Sequence, residues 1–456
     1  MHYLSTRGDT RGLSFVDSLL TGLAPDGGLL IPEQIPAVGD EIDSLRGLDF
    51  VAFAKRVLPL FADDIETSTL HTLIDNAYGT FASPDVIEIR ELCDVAVVEL
   101  FHGPTLAFKD VALQLLGQLF AHVLAQRGER LNILGATSGD TGSAAIAGVR
   151  GQDNVDIFIL YPNHRVSRLQ ELQMTTVPDS NVHCVAVEGS FDDCQNLMKE
   201  TFGDLAFKQQ YQLGAVNSVN WARIMAQVIY YGWVSLRGVT PVSFCVPTGN
   251  FGNVFAGYFA KWMGFPIDSL IVATNDNDIL ARFFNDGTYA RGSVHHTLTP
   301  AMDIQIASNF ERYLYFLLNK DTDKLKALMQ EFAATGSTQL AQISYGDDFL
   351  ATAVDRDATL EAIRSVHAQS GYVLDPHTAV GVAAARRLAG SVAGPLYCMA
   401  TAHPAKFPEA VAAALPEVSA THPALDALVG MSERKQVIPA DIKAVKAVIT
   451  KGLARA

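Results

Sequence analysis

The chain has few cysteines, and they are not arranged to pair. Five stand at positions 93, 184, 194, 245 and 398 of 456 residues, none spaced C-x-x-C. An odd, scattered set argues against a disulfide framework or a cysteine zinc site and fits buried free thiols in a reducing compartment. Long apolar runs are also missing, so no stretch reads as a membrane span. The first ten residues, Met1 to Thr10, hold no apolar core of the kind a secretory signal needs. The expected location is cytoplasmic, with no membrane partner. Positive charge is in deficit: 34 Lys and Arg against 49 Asp and Glu give a net charge of -15. Nucleic acid is therefore not an expected partner, although a local basic pocket is allowed. Neither G-x-x-x-x-G-K-[ST] nor G-x-G-x-x-G occurs, so the nucleoside-triphosphate loop and the dinucleotide fingerprint are both absent. There is no internal repeat and no low-complexity tract.

What is present is globular: 49% of residues are hydrophobic and 18% charged, on a chain long enough for more than one domain. Residues 1–85 read as a small, mostly helical unit, with helices expected over 13–22, 49–60 and 65–78 and a strand stub at 29–31. From about residue 95 the pattern becomes alternating β and α. Short β-branched runs at 95–98, 131–134, 155–160, 182–187, 242–246, 270–273 and 396–400 read as strands. Several end in Gly-rich turns that feed helices, which describes an α/β fold of mostly parallel sheets covered by helices. Residues 311–370 and 378–388 are expected to be largely helical.

Four segments carry chemistry. Glu99 to Asp110 joins a strand to a helix over 111–124 and places Lys109 near the helix start. Burial and the positive helix end both oppose its charge, so Lys109 can serve as a nucleophilic amine toward a carbonyl cofactor. The plain alternative is a packed stem whose ammonium reaches water or pairs with Asp110. Thr248-Gly-Asn-Phe-Gly-Asn253, between strand and helix, can cradle a phosphate on converging backbone amides. Its plain alternative is a turn that needs glycine for geometry alone. Thr137-Ser-Gly-Asp-Thr-Gly142 adds hydroxyls that suit a carboxylate; its alternative is a helix start capped by Ser138 or Asp140. Ala400 to Phe407 follows the late strand. Ligands in open α/β sheets lie beyond the carboxyl ends of the strands. One site lined by all four segments suits pyridoxal phosphate and an amino-acid substrate.

These motifs, in this order, resemble the longer threonine synthases with an N-terminal extension, within the fold type II pyridoxal-phosphate enzymes. The resemblance runs from Ser5-Thr-Arg-Gly8 through His102-Gly-Pro-Thr-Leu-Ala-Phe-Lys-Asp110 and Ala136 to Gly142. It continues through Val246 to Asn253, Ser308-Asn-Phe-Glu-Arg312, Asp375-Pro-His-Thr-Ala379 and Thr401-Ala-His-Pro-Ala-Lys-Phe407. It implies a catalytic region over 86–456 with two α/β subdomains. It also implies conversion of O-phospho-L-homoserine and water to L-threonine and phosphate, the last step of threonine biosynthesis. By resemblance, Lys109 would carry the Schiff base with pyridoxal 5'-phosphate. Gly249, Asn250, Phe251, Gly252 and Asn253 would hold the cofactor phosphate, and Thr401 the pyridine nitrogen. Asp140 would lie by the cofactor, with Thr137, Ser138, Gly139 and Thr141 near the substrate carboxylate. Arg165, Ser167, Asn309 and Arg312 are candidates for the substrate phosphate. His164, Arg168, Asn253 and Ala307 depart from the family pattern. The alternatives are another fold type II lyase, such as a threonine/serine dehydratase, or a non-catalytic amino-acid or phosphate-ester binding protein. Oligomeric state, monomer or dimer, stays open.

Overall fold

The structure is a computed structural model that describes residues 1–454 apart from Val216, Val239 and 341–347. Among the described residues, one sheet has six strands. Their order is Phe349–Ala353, Ile267–Thr274, Val242–Pro247, Leu396–Ala400, Ala96–Glu99 and Glu88–Glu91. Neighbours run parallel except the last pair, which is antiparallel. A second sheet has five parallel strands: Gln436–Pro439, Val182–Glu188, Val155–Pro162, Leu131–Ala136 and Leu213–Gly214. Val155–Pro162 is buried at every position, which is why its sequence is apolar on both faces instead of alternating, apart from Asp156, which pairs with Arg130 at 3.0 Å. The expected α/β class of parallel sheets flanked by helices is borne out, with a small helical N-terminal unit. Among the described residues no helix is long and apolar enough to cross a membrane.

Helices Phe15–Thr21, Phe50–Val57 and Thr67–Tyr78 begin at Ser14, Asp49 and Glu66, each accepting a backbone N–H of its first turn. They share one core with the rest of the chain: the rings of Phe61 and Trp221 lie 6.1 Å apart, and those of Phe53 and Phe265 5.8 Å.

Residues 311–370 depart from the helical expectation. Helices Phe310–Leu317, Thr322–Thr335 and Arg356–Ser370 are there, but Ser337–Gln339 and Phe349–Ala353 are strands. Phe349–Ala353 pairs in parallel with Ile267–Thr274 at the sheet edge. It is mostly half-buried, so no apolar run marks it, and its neighbour decides its conformation. Helix Trp221–Ser235 is buried along its whole length. An apolar surface all round has no one-sided period, so periodicity does not predict it.

One helix pair sets the site. Helix Lys109–Arg127 packs on helix Asp140–Val149 through facing glycines. A Cβ on Gly117 would lie 1.8 Å from Gly148 O, and one on Gly148 would lie 2.3 Å from Leu113 O. Only hydrogen at both positions allows this approach, which sets the first residues of the two helices, Lys109 and Asp140, close together.

Candidate active site

Three neighbouring parallel strands of the six-stranded sheet end at one cavity. Val242–Pro247 leads into the turn 248–251, Leu396–Ala400 into Thr401, and Ala96–Glu99 into the loop that ends at Lys109. The segment before Lys109 is pinned to the segment after the late strand. Phe108 N donates to Thr401 O at 2.8 Å and His403 N to Leu106 O at 3.1 Å.

Lys109 is 9% exposed. Asp110 is not its partner, because that carboxylate turns back to accept from Thr105 N at 2.8 Å and Thr105 Oγ1 at 2.6 Å. Lys109 Nζ instead lies 3.6 Å from Asp140 Oδ2. Burial lowers the Lys109 pKa; Asp140 opposes that shift, while Lys406 and Arg223 reinforce it. For Asp140, burial pushes the opposite way from its neighbours. The charges of Lys406 and Lys109 and the Gln170 amide outweigh burial and hold the carboxyl below the usual carboxylate range.

The turn at 248–253 is built for close approach. Phe251 sits in the left-handed region at φ 64° and opens helix Gly252–Trp262 without a side-chain cap. A non-glycine residue there costs roughly 1–3 kcal/mol, and its fully buried ring is held among Phe310, Phe284 and Tyr313. Asn309 braces the turn: its backbone N and Nδ2 both donate to Asn250 O, at 3.0 and 3.2 Å. Arg312 in turn donates to Asn309 Oδ1 at 2.5 Å, to Leu30 O at 2.9 Å and to Val219 O.

The cavity brings together Lys109, Asp140, Thr141, Asn309, Thr401 and the Gly249–Asn253 backbone. Thr137, Ser138, Gly139, Arg165, Ser167 and Arg312 lie outside its lining. Thr137 Oγ1 accepts from Gly139 N at 3.0 Å and Gly142 N at 2.9 Å and so shapes its turn; neither Ser138 nor Asp140 caps the helix. Arg165 is exposed, and Ser167 caps helix Arg168–Thr175. Arg312 is fully buried on the acceptors named above.

Sequence reasoning missed Arg223, Gln227 and His377, which also line the cavity. A lone arginine in an apolar helix, with a glutamine one turn on, was the available signal. Arg223 Nε and Nη1, Asn253 Nδ2 and His377 Nε2 are buried without partners among the described residues. Asn253 Oδ1 accepts from Tyr230 and Tyr231, which leaves its amide nitrogen as a donor. Burial lowers the Arg223 pKa to about 10, so it stays charged at neutral pH. Unused donors around a glycine turn, with an amine opposite, fit a phosphate-bearing carbonyl cofactor.

The matches to known families agree. Residues 90–400 match the family described as pyridoxal-phosphate dependent enzyme, residues 2–78 threonine synthase N terminus, and residues 378–449 threonine synthase, C-terminal. Fold and site thus define a pyridoxal-phosphate-dependent enzyme of fold type II. Threonine synthase of Pseudomonas aeruginosa is 47% identical over 99% of this chain and 98% of its own. The crystal structure of pyridoxal-phosphate-bound threonine synthase from Brucella melitensis superposes with a TM-score of 0.96 at 47% identity, covering 100% of both chains. The yeast threonine synthase structure gives 0.94 at 41% identity, covering 100% of this chain and 99% of that one. The chain belongs to the threonine synthase family.

Proposed function

We propose that the chain converts O-phospho-L-homoserine and water to L-threonine and phosphate in the cytoplasm, with Lys109 as the catalytic residue. The observation that carries this reading is the meeting of Lys109, Thr401 and the 248–253 turn at the carboxyl ends of three adjacent parallel strands. The Gly249–Asn253 backbone would hold the cofactor phosphate, joined by Arg223, whose buried Nε and Nη1 have no acceptor among the described residues. The Thr401 hydroxyl makes no hydrogen bond among the described residues and would donate to the ring nitrogen. Its backbone is anchored, because Thr401 N donates to Thr378 Oγ1 at 3.2 Å. Bound pyridoxal phosphate supplies an electron sink for charge developing on the substrate carbons.

Lys109 Nζ is the group that takes the proton from substrate Cα. The same amine then serves at Cβ and Cγ, because it stays beside them throughout. Its burial serves this task in two ways. It favours the neutral amine, and it keeps bulk water from exchanging the transferred proton. Thr141 and Asp140 line the cavity and would lie beside the substrate carboxylate. Asn309, beside the cradle, is a candidate for the substrate phosphate.

Product analysis tests the reading. Incubation with O-phospho-L-homoserine should yield threonine and phosphate in equal amounts, with little 2-oxobutyrate from threonine or pyruvate from serine. A dominant oxo-acid product from serine or threonine would assign the chain to a dehydratase instead. Binding without turnover would make it a carrier.

A further inference from the structure

Lys406 plays no part in the reading above, yet it is 1% exposed beside the cavity. It ends the single-turn helix Pro404–Lys406, in the same segment that carries Thr401. Its Nζ lies 2.5 Å from Thr105 O, 2.9 Å from Gln173 Oε1 and 3.1 Å from Asp140 Oδ1. Asp140 Oδ1 also accepts from Gln170 Nε2 at 2.9 Å, while Oδ2 lies 3.6 Å from Lys109 Nζ. The two carboxylate oxygens are therefore divided: one is fixed by Lys406 and Gln170, the other is turned to Lys109. Gln173 is itself tied down, its Nε2 donating to Thr105 O at 3.0 Å.

We propose that Lys406 is a positioning residue for Lys109: joined to Asp140 as one buried ion pair, it aims the carboxylate and sets how firmly the Lys109 nitrogen holds its proton. The proposal rests on the reading of Lys109 as the cofactor-bearing lysine. The charged and titratable groups around the pair come from several elements. Lys109 and Asp110 lie on helix Lys109–Arg127, Arg223 on helix Trp221–Ser235 and His377 on helix Pro376–Leu388. Helix Arg168–Thr175 contributes the neutral amides of Gln170 and Gln173. Asp110 is taken up by Thr105, which leaves Asp140 as the carboxylate paired with Lys109 among the described residues. Alone, the Asp140 charge would bind the Lys109 proton too firmly, and the Lys406 charge would expel it. Paired, the two largely cancel while the carboxylate keeps its direction.

The test is the pH dependence of the bound cofactor's visible absorbance in five holoenzymes: wild type, Lys406→Met, Asp140→Asn, the double variant, and Lys406→Arg. The midpoint should rise by about one unit in Lys406→Met and fall by about one unit in Asp140→Asn, each roughly tenfold in proton affinity. The double variant and Lys406→Arg should return close to wild type. Should a midpoint fall outside the accessible range, the acetylation rate of Lys109 in cofactor-free protein at neutral pH carries the same sign. It should be slower in Lys406→Met and faster in Asp140→Asn. Opposed shifts that cancel are not produced by a residue that only fills space. If Lys406→Met fails to fold and the double variant folds, the pair is supported, because a single deletion strands a buried charge. Unchanged midpoints and rates in Lys406→Met, shifts of one sign in both single variants, or loss of the fold in the double variant would each overturn the proposal. Peptide mapping of the borohydride-reduced cofactor separates the two levels. A cofactor trapped on a lysine other than Lys109 sinks the reading beneath the proposal, while one trapped on Lys109 leaves the pair itself under test.

Discussion

The two turns that face the cavity are built by different physics. The 248–253 turn is made of backbone, strain and packed rings, braced by one buried arginine. Phe251 is held at positive φ by packed rings, and Asn309 and Arg312 lock the loop from behind. The 137–142 turn is shaped by one hydroxyl, Thr137, and delivers a carboxylate into a cluster of buried cations. The first can be rigid across the neutral range, below the Arg312 pKa that burial lowers to about 9. The second depends on charge and on the spacing of two helices. A phosphate held by amides and by an arginine that stays charged at neutral pH would need shape, dipoles and a fixed charge, whereas an amine that must give and take protons needs a tuned field.

Gly117→Ala strikes the charged side hardest. Its Cβ would fall on the Gly148 carbonyl, so the helices bearing Lys109 and Asp140 must separate. Urea unfolding should show a loss of roughly 3 kcal/mol, with turnover falling more than phosphate affinity. Arg312→Met strikes the braced side. It strands buried acceptors at Leu30, Val219 and Asn309, at a cost of about 2 kcal/mol by the same measurement. It should weaken cofactor binding equally at pH 6 and pH 7.5, both below the Arg312 pKa that burial lowers to about 9. A pH-dependent loss would break the contrast between the turns.

Gly252→Val tests the cradle directly. A Cβ there would meet Asn309 Nδ2 at 3.1 Å and crowd the amides. Cofactor affinity by fluorescence titration should fall roughly tenfold or more, with stability changed by less than about 1 kcal/mol. Unchanged affinity would reduce this turn to plain geometry.

The smallest effect concerns His403. Burial, with His422 nearby, lowers its pKa to about 4, and its Nδ1 accepts from Ala405 N. The folded chain therefore binds fewer protons than the unfolded chain between the ordinary histidine value, near 6.5, and 4. Stability should be complete above that window and decline as pH falls through it. His403→Asn keeps a capping acceptor and should flatten the decline in a series of melts; an unchanged slope would remove His403 as its source.

Much of the charged side was legible in the sequence. Lys109 stands between a β-branched run and a helical period, and Asp140 opens a glycine-rich helix start, so both announce themselves by local pattern. What escaped was long-range. Arg223 and Gln227 sit on a helix buried all round, with no face to read. Lys406 lay inside a recognised segment, but only the fold brings it to Asp140, 266 positions away by the numbering. Ser167 and Arg312, expected at the substrate phosphate, serve as a helix cap and as a brace. Residue type alone does not separate an arginine that binds an anion from one that satisfies carbonyls. The edge strand Phe349–Ala353 was missed for the same reason, because its conformation comes from its neighbour.

The claim on which the rest depends is that Lys109 bears the cofactor. Purified protein reduced with borohydride, digested and mapped by mass spectrometry, tests it most directly, since Lys406 offers a second buried amine in the same site. The account predicts that the reduced cofactor is found on the peptide containing Lys109 and is lost in Lys109→Ala together with turnover. A reduced adduct on Lys406, or one that persists in Lys109→Ala with turnover intact, would contradict it.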